Sequence, residues 1–241
     1  MNETIRQLIE RRSVRSFTDK PISPDDRELI LTAAAMAPTA GNQQLYTILD
    51  VTDPELRQRL AESCDHQPFI TKAAMVLVFC ADCLKWYRAY QEAGCTPRKP
   101  GAGDLLLAVD DALIAAQNAV TAAQSLGIGS CYVGDIMENC ELQREILGLP
   151  DYVFPAALLV FGYPTEQQKE RPKPLRSPLR CIVQENCYRE PDAEQLRNML
   201  LPKCGGTDYE EWVRAFCKRK YASDFSHEMT RSVRKLLEQY E

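Results

Sequence analysis

Four residues near the amino terminus, Arg11, Arg12, Ser13 and Arg15 of the run RRSVRSF, have the types and spacing to hold an anion. In an extended segment side chains alternate, so Arg11, Ser13 and Arg15 project to one side. Guanidinium forks stay charged and match phosphate oxygens bidentately, which suits the cluster to a phosphate monoester better than to a neutral ligand. The same letters also describe a solvated basic helix end. A second basic pair, Lys169 with Arg171, follows the strand end and turn Phe161, Gly162, Tyr163 and Pro164, and two distant pairs can share one phosphate.

Between these pairs lies APTAGNQQ, Ala37 to Gln44. Pro38 stops a helix, Thr39, Ala40 and Gly41 keep the loop small, and Asn42, Gln43 and Gln44 bring amides. An amide both donates and accepts, which is what the pyrimidine edge of a flavin, a ring N–H flanked by carbonyls, requires. The plainer alternative is a polar helix-to-strand turn. A fourth stretch, GIGSCYVGD from Gly127 to Asp135, has glycines that permit close backbone approach and main-chain N–H groups available to a ring nitrogen. It is not a dinucleotide fingerprint, because GxGxxG requires glycine where Tyr132 stands, and no Walker or GxSxG motif occurs elsewhere.

These stretches need elements to position them. The periodicity predicts a helix over Glu3 to Glu10 with Ile5, Leu8 and Ile9 on one face, followed by an extended RRSVRSF. Ser23 as N-cap, Pro24 at the first position and Asp25 and Asp26 in the first turn predict a second helix that ends at Pro38. Apolar, β-rich runs at Tyr46 to Val51, Met75 to Cys80 and Ala156 to Phe161 read as buried strands separated by helices, an α+β pattern. Asp104 to Leu126 reads as a long helix, small and apolar around most of its circumference, so more than one neighbour must cover it. A dimer partner is one candidate and the centre of a monomer the other. Beyond residue 180 the chain carries two amphipathic patterns. Thr207 and Glu210 have capping-box spacing before Tyr209, Trp212, Val213 and Phe216, and a second stripe joins Met229, Val233, Leu236, Leu237 and Tyr240. The expected organisation is a main domain over 1–180 and a helical extension over 181–241 packing on the body or on a second subunit.

Bulk properties exclude several function classes. The 241 residues are 45% hydrophobic, enough for a core, and 26% charged with a net charge of −5. No polybasic block appears, so the overall field repels nucleic acid and anionic membrane surfaces, and neither is expected as a partner. The start, MNETIRQLIERRS, lacks the apolar region of a secretory signal, and the longest apolar candidate for a membrane span, Leu105 to Leu126, is interrupted by Asp110, Asp111, Gln117 and Asn118. A cytoplasmic location with free thiols is expected for the ten irregularly spaced cysteines. Cys80 and Cys83 form one CxxC, but a structural zinc needs about four ligands, and His66 and His227 lie far apart in sequence. A packing role is therefore expected for both thiols, and no metal.

RRSVRSF, APTAGNQQ, GIGSCYVGD and GYPxxxxKxR, in this order and with a long Ala-rich helix before the third, resemble the nitroreductase family of FMN enzymes over most of residues 3 to 180. The resemblance implies a nitroreductase-like α+β fold: a central, mostly antiparallel sheet flanked by helices, in a domain-swapped homodimer with the long helix at the interface. It implies that Arg11, Arg12, Ser13, Arg15, Lys169 and Arg171 take the phosphate and ribityl end of FMN. Thr39, Ala40 and Asn42 would come from the opposite subunit, Pro38 and Gln43 would also bind the cofactor, and Tyr132, Val133 and Gly134 would lie along the ring. NADH or NADPH would deliver hydride to the flavin and leave before a small flat acceptor, a nitroaromatic or quinone, takes its place. Two features depart from common members: Thr39 and Ala40 stand where small serines are frequent, and the C-terminal arm is longer than the minimal fold needs. The resemblance leaves room for a different reaction on the same fold, reductive dehalogenation or dehydrogenation, or for a flavin-binding sensor. Trp86, Tyr87 and Tyr90 are candidates for a lid or for core packing.

Overall fold

A computed structural model describes all residues from Met1 to Glu241. In chain order the elements are α1 (Glu3–Glu10), α2 (Pro24–Ala35), β1 (Tyr46–Asp50), α3 (Pro54–Ser63), α4 (Phe69–Lys72), β2 (Met75–Asp82), α5 (Leu84–Glu92), α6 (Ala102–Ser125), β3 (Gly129–Val133), α7 (Cys140–Leu147), β4 (Val153–Gly162), α8 (Glu166–Glu170), α9 (Ala193–Leu200), α10 (Tyr209–Lys220) and α11 (Asp224–Leu237). The chain divides into two compact units, Met1–Glu170 with Glu228–Glu241, and Arg171–His227.

The first unit is built on a four-stranded sheet in the order β1-β2-β4-β3 with every neighbouring pair antiparallel. The fold is the expected α+β type. β2 and β4 are buried at every position because both faces of the sheet are covered, which is why their sequences read as unbroken apolar runs. Side chains alternate across β2: Met75, Leu77, Phe79 and Ala81 enter one core layer, and Val76, Val78 and Cys80 the other. Along β4 the alternation changes phase. Phe79 pairs with Ala157 but Cys80 with Pro155, a bulge that accommodates a proline with no N–H to give and moves Leu159 and Phe161 onto the same layer as Phe154 and Ala156.

α2 and α6 cover the first layer, and α3, α4 and α7 the second. α6 lies close to the sheet because Ala108, Ala112, Ala115, Ala116, Ala119 and Ala123 present only methyl groups to it. By length and composition α6 is apolar enough to cross a bilayer, but its inner face is core, packed against β2 and β4. Its outer face leaves Leu106, Leu107, Leu113 and Ile114 exposed, and α1 likewise buries none of Ile5, Leu8 and Ile9. Residues 228–241 return to the body. Leu236 and Tyr240 enter the first core layer, and the N-terminus of α7 is capped from α11, with Asn139 N–H donating to Glu228 Oε1 at 3.0 Å and Cys140 N–H to Ser232 Oγ at 3.0 Å.

In the second unit Asp192 and Gln195 cap the start of α9 reciprocally. α10 starts at Asp208, which accepts from Glu211 N–H at 3.0 Å, one residue later than the Thr207–Glu210 spacing predicts. An aspartate offers a charged acceptor to the positive end of the helix, and it displaces the neighbouring threonine as cap. Trp212 and Phe216 stack with centroids 4.9 Å apart, so the predicted stripe is formed.

Candidate functional site

The segment after α1 runs extended, as predicted, and lies against the outer edge of the sheet. Ser13 bridges Ser130 of β3 in parallel, and Phe17 bridges Pro164. Val14 N–H donates to the Ser130 carbonyl at 2.9 Å and Thr18 N–H to the Tyr163 carbonyl at 2.8 Å. Two glycines make this approach possible. A Cβ on Gly129 would sit 2.5 Å from Val14 Cγ2, and one on Gly162 would sit 2.7 Å from the Phe17 ring. The GIG and GYP motifs are thus steric slots for Val14 and Phe17, and Arg11, Ser13 and Arg15 are left outside them.

Those side chains gather as the alternation predicts. Burial pushes the Cys131 thiol up, against the opposing pull of Arg15, Ser13 and Arg11, all of which lie close to it. Burial likewise pushes the Tyr132 hydroxyl up to about 12, with Arg11 opposing. The second basic element reaches the same place through the backbone: Arg12 Nη1 donates to the Lys169 carbonyl at 2.9 Å, and Arg15 N–H to Gln168 Oε1 at 3.1 Å. Lys169 Nζ lies 2.6 Å from Glu166 in an exposed pair, while no carboxylate pairs with Arg15. Arg171 is the first residue of the second unit. A run of guanidinium groups with a hydroxyl and an ammonium, open at Ser13 and Arg15, is the donor set that a phosphate monoester fits.

β3 leads away from this cluster. It is an edge strand, and the 11–17 segment bridges it only at Ser130. Tyr132 is half-buried, with its hydroxyl 3.4 Å from Gln117 Oε1. The Val133 side chain faces the second core layer, which leaves its backbone as the part available to a ligand. Gly134 is exposed, and a Cβ built there meets no atom within 4 Å, so the space beside it is open.

The amide loop is held by different means. Its hydrogen bonds run to α6, α5 and α2, whereas those of the 11–17 segment run to β3, to Thr165 just after β4 and to α8. Asp111 of α6, only 2% exposed, accepts from the Thr39 hydroxyl, from Ala40 N–H at 2.9 Å and from Leu45 N–H at 3.1 Å. Trp86 Nε1 donates to the Gln43 carbonyl at 2.7 Å, and Lys85 Nζ to the Tyr46 carbonyl at 2.6 Å. Pro38 and Asn42 are exposed at the tip.

Several of these residues escape sequence reasoning. Asp111 registers there only as a polar interruption of an apolar helix, a signal that could have marked it as a buried acceptor. Trp86 is an anchor for the loop, and Tyr87 stacks edge-on against Tyr152 with centroids 5.9 Å apart, both packing rather than lid roles. Phe69 places its ring 5.9 Å from the Arg15 guanidinium carbon, and no motif announces it. Cys80 and Cys83 are buried, and burial pushes both thiols up to about 12, which suits them to packing and leaves almost no thiolate near neutral pH.

An α+β body with a basic cradle on the edge of an antiparallel sheet and a separate amide loop defines a class of mononucleotide-binding proteins. The model of the nitroreductase family matches residues 8–163, and the chain belongs to that family. It is 35% identical over 220 residues to the oxygen-insensitive NADPH nitroreductase of Salmonella typhimurium, covering 88% of each chain. It is 33% identical over 190 residues to the FMN reductase (NADPH) of Bacillus subtilis, covering 78% of this chain and 75% of that one. Among solved structures, the NADPH:FMN oxidoreductase from Vibrio harveyi complexed with NAD+ matches with a TM-score of 0.81 at 26% identity over 98% of both chains.

Proposed function

We propose that this chain works as a homodimeric FMN-dependent oxidoreductase that draws on NADH or NADPH and reduces a small flat acceptor of the nitroaromatic or quinone type by a ping-pong cycle. Membership of the family and the names of its relatives support flavin-dependent NAD(P)H oxidoreductase activity. The observation that carries the reading is the gathering of Arg11, Ser13 and Arg15 at the start of β3, with Arg12 tied to Lys169.

FMN, when bound, supplies a ring that accepts hydride from the nicotinamide at N5 and passes it on. The chain's part is placement. Arg11, Arg12, Ser13, Arg15 and Lys169 hold the phosphate and ribityl end, and the backbone of Tyr132, Val133 and Gly134 runs along the ring. Positive charge at the phosphate end offsets the charge of the phosphate. Pro38, Thr39, Ala40, Asn42 and Gln43 supply the amide edge to the flavin of a second copy. The dimer is supported by the uncovered apolar residues of α1 and α6, Ile5, Leu8, Ile9, Leu106, Leu107, Leu113 and Ile114, which a second copy would bury. A cytoplasmic location is part of the proposal and rests on ten free thiols.

The purified protein is expected to be yellow, to bleach with NADPH or NADH without oxygen, and to recolour on adding menadione or a nitrofuran. A colourless protein that takes up no added FMN would sink the proposal.

A further inference from the structure

We propose that Asp111 is a positioning residue for cofactor binding: from the middle of α6 its carboxylate holds the Pro38 to Leu45 loop in the one shape that offers the loop's amides to a flavin edge. This rests on the FMN reading above and deepens it.

The geometry is unusual for a helix residue. Asp111 is buried in a stretch of leucine and alanine, where an apolar side chain would pack as well and avoid the desolvation of a charge. No cation pairs with it. Both of its oxygens are instead used by the loop, Oδ1 by Ala40 N–H and Oδ2 by Leu45 N–H and the Thr39 hydroxyl. Thr39 Oγ1 accepts in turn from Gln44 N–H at 2.8 Å, so one carboxylate and one hydroxyl fix both ends of the turn.

The loop needs such a clamp. Gly41 and Asn42 both have φ of 57° and Gln44 has φ of 51°, left-handed conformations that glycine adopts freely, asparagine tolerates and glutamine holds only when its surroundings dictate them. The strain falls on Gln44, whose N–H is the one Thr39 Oγ1 holds, and a relaxed loop would aim the neighbouring Asn42 elsewhere. Leu113 and Ile114, the latter one turn along α6 from Asp111, are exposed and belong to the surface assigned above to the second copy. Asp111 therefore sets the loop's position relative to the face across which its flavin would lie.

Substitution by asparagine separates this role from general packing. Asp111→Asn keeps the shape but turns one acceptor into a donor, which faces Leu45 N–H or Ala40 N–H with a second N–H. The protein is stripped of FMN and titrated with it, with quenching of flavin fluorescence as the readout, alongside light scattering and thermal melting. Asp111→Asn is expected to raise the FMN dissociation constant on the order of tenfold or more. Gln143→Ala, which breaks a buried hydrogen bond to Ser63 in the other core layer, serves as the control and should lower Tm without loosening FMN. Should Asp111→Asn fail to fold, Thr39→Val decides, with a loss of about threefold or more, and Thr39→Ser should restore binding to within about twofold. FMN affinity unchanged in the variant that folds, or a loss that tracks Tm equally in Gln143→Ala, would overturn the role of Asp111. A wild-type chain that binds no FMN would remove the function reading itself.

Discussion

The two halves of the proposed cofactor site are made rigid by opposite strategies. The 11–17 segment is fixed by main-chain hydrogen bonds to the sheet edge and by Val14 and Phe17 filling the space above two glycines. The 38–45 loop meets a strand only at its last residue, where the Leu45 carbonyl accepts from Asp82 N–H at 2.9 Å, and is otherwise fixed by side chains, a buried carboxylate, an indole N–H and an ammonium. The first arrangement frees side chains for a ligand, because main-chain bonds and two apolar side chains hold the backbone that carries Ser13 and Arg15. The second commits polar groups to internal bonds and leaves the backbone and amides as the binding surface. Charge recognition and ring-edge recognition are thus assigned to supports that suit them.

The comparison breaks most visibly if the cationic side chains are removed without disturbing their support. Arg11→Ala with Arg15→Ala deletes two charge-assisted contacts of about 1.5–3 kcal/mol each, so FMN affinity is expected to fall on the order of a hundredfold or more. The fold should survive, since Val14, Phe17 and the backbone bonds remain; equilibrium dialysis and a melting curve measure the two effects separately.

A smaller effect follows from attacking the support instead. In Gly129→Ala the new methyl meets Val14 Cγ2 at 2.5 Å. Overpacking of this kind costs about 1–3 kcal/mol, which for a chain of this length lowers Tm by roughly 2–12 °C. FMN binding should weaken along with it, because the displaced segment carries the arginines. A variant that melts like wild type and binds FMN normally would show that the segment does not depend on its slot.

The smallest effect on the site is expected at Glu138, between β3 and α7. Burial, together with Asp135, Asp65 and Glu228, pushes the Glu138 carboxyl up to about 7 from an ordinary value of 4.5. The folded state then holds a proton that the unfolded chain releases more easily. That contribution is present in full below about pH 4.5 and is lost as pH rises through about 7, a change of up to about 3 kcal/mol. Glu138→Gln should flatten this part of the dependence, seen as a smaller difference in urea midpoint between about pH 5 and pH 8. A wild-type slope retained in the variant would assign the titration to another group.

Much of the first half of the site is legible in the sequence, because it depends on short-range rules. Alternation places Arg11, Ser13 and Arg15 on one side, and the glycines of GIG and GYP mark close approach without naming what approaches. The sheet is less legible at its edge. β3, with Gly129 and Ser130 in its five residues, lacks the long apolar run that betrays β2 and β4, and it forms by pairing along its length with β4. The second half depends on contacts between residues 66 to 72 positions apart, Asp111 to Thr39, Ala40 and Leu45, and no local spacing encodes these. α9 is a different case. The Asp192–Gln195 pair has the capping-box spacing that could have located it, but a short, mostly polar helix offers little periodicity to support that signal.

The capping of α7 by Glu228 and Ser232 sets an order of events during synthesis. The acceptors lie 89 and 92 residues downstream of the amides they satisfy. At ribosomal speeds of about 5–20 residues per second, α7 spends roughly 5 to 20 seconds outside the exit tunnel with its leading amides served only by water. The first core layer stays unsealed for the same interval, because Leu236 and Tyr240 belong to it. A nascent chain stalled short of Glu228 would therefore expose apolar surface to chaperones however well its sheet had already formed.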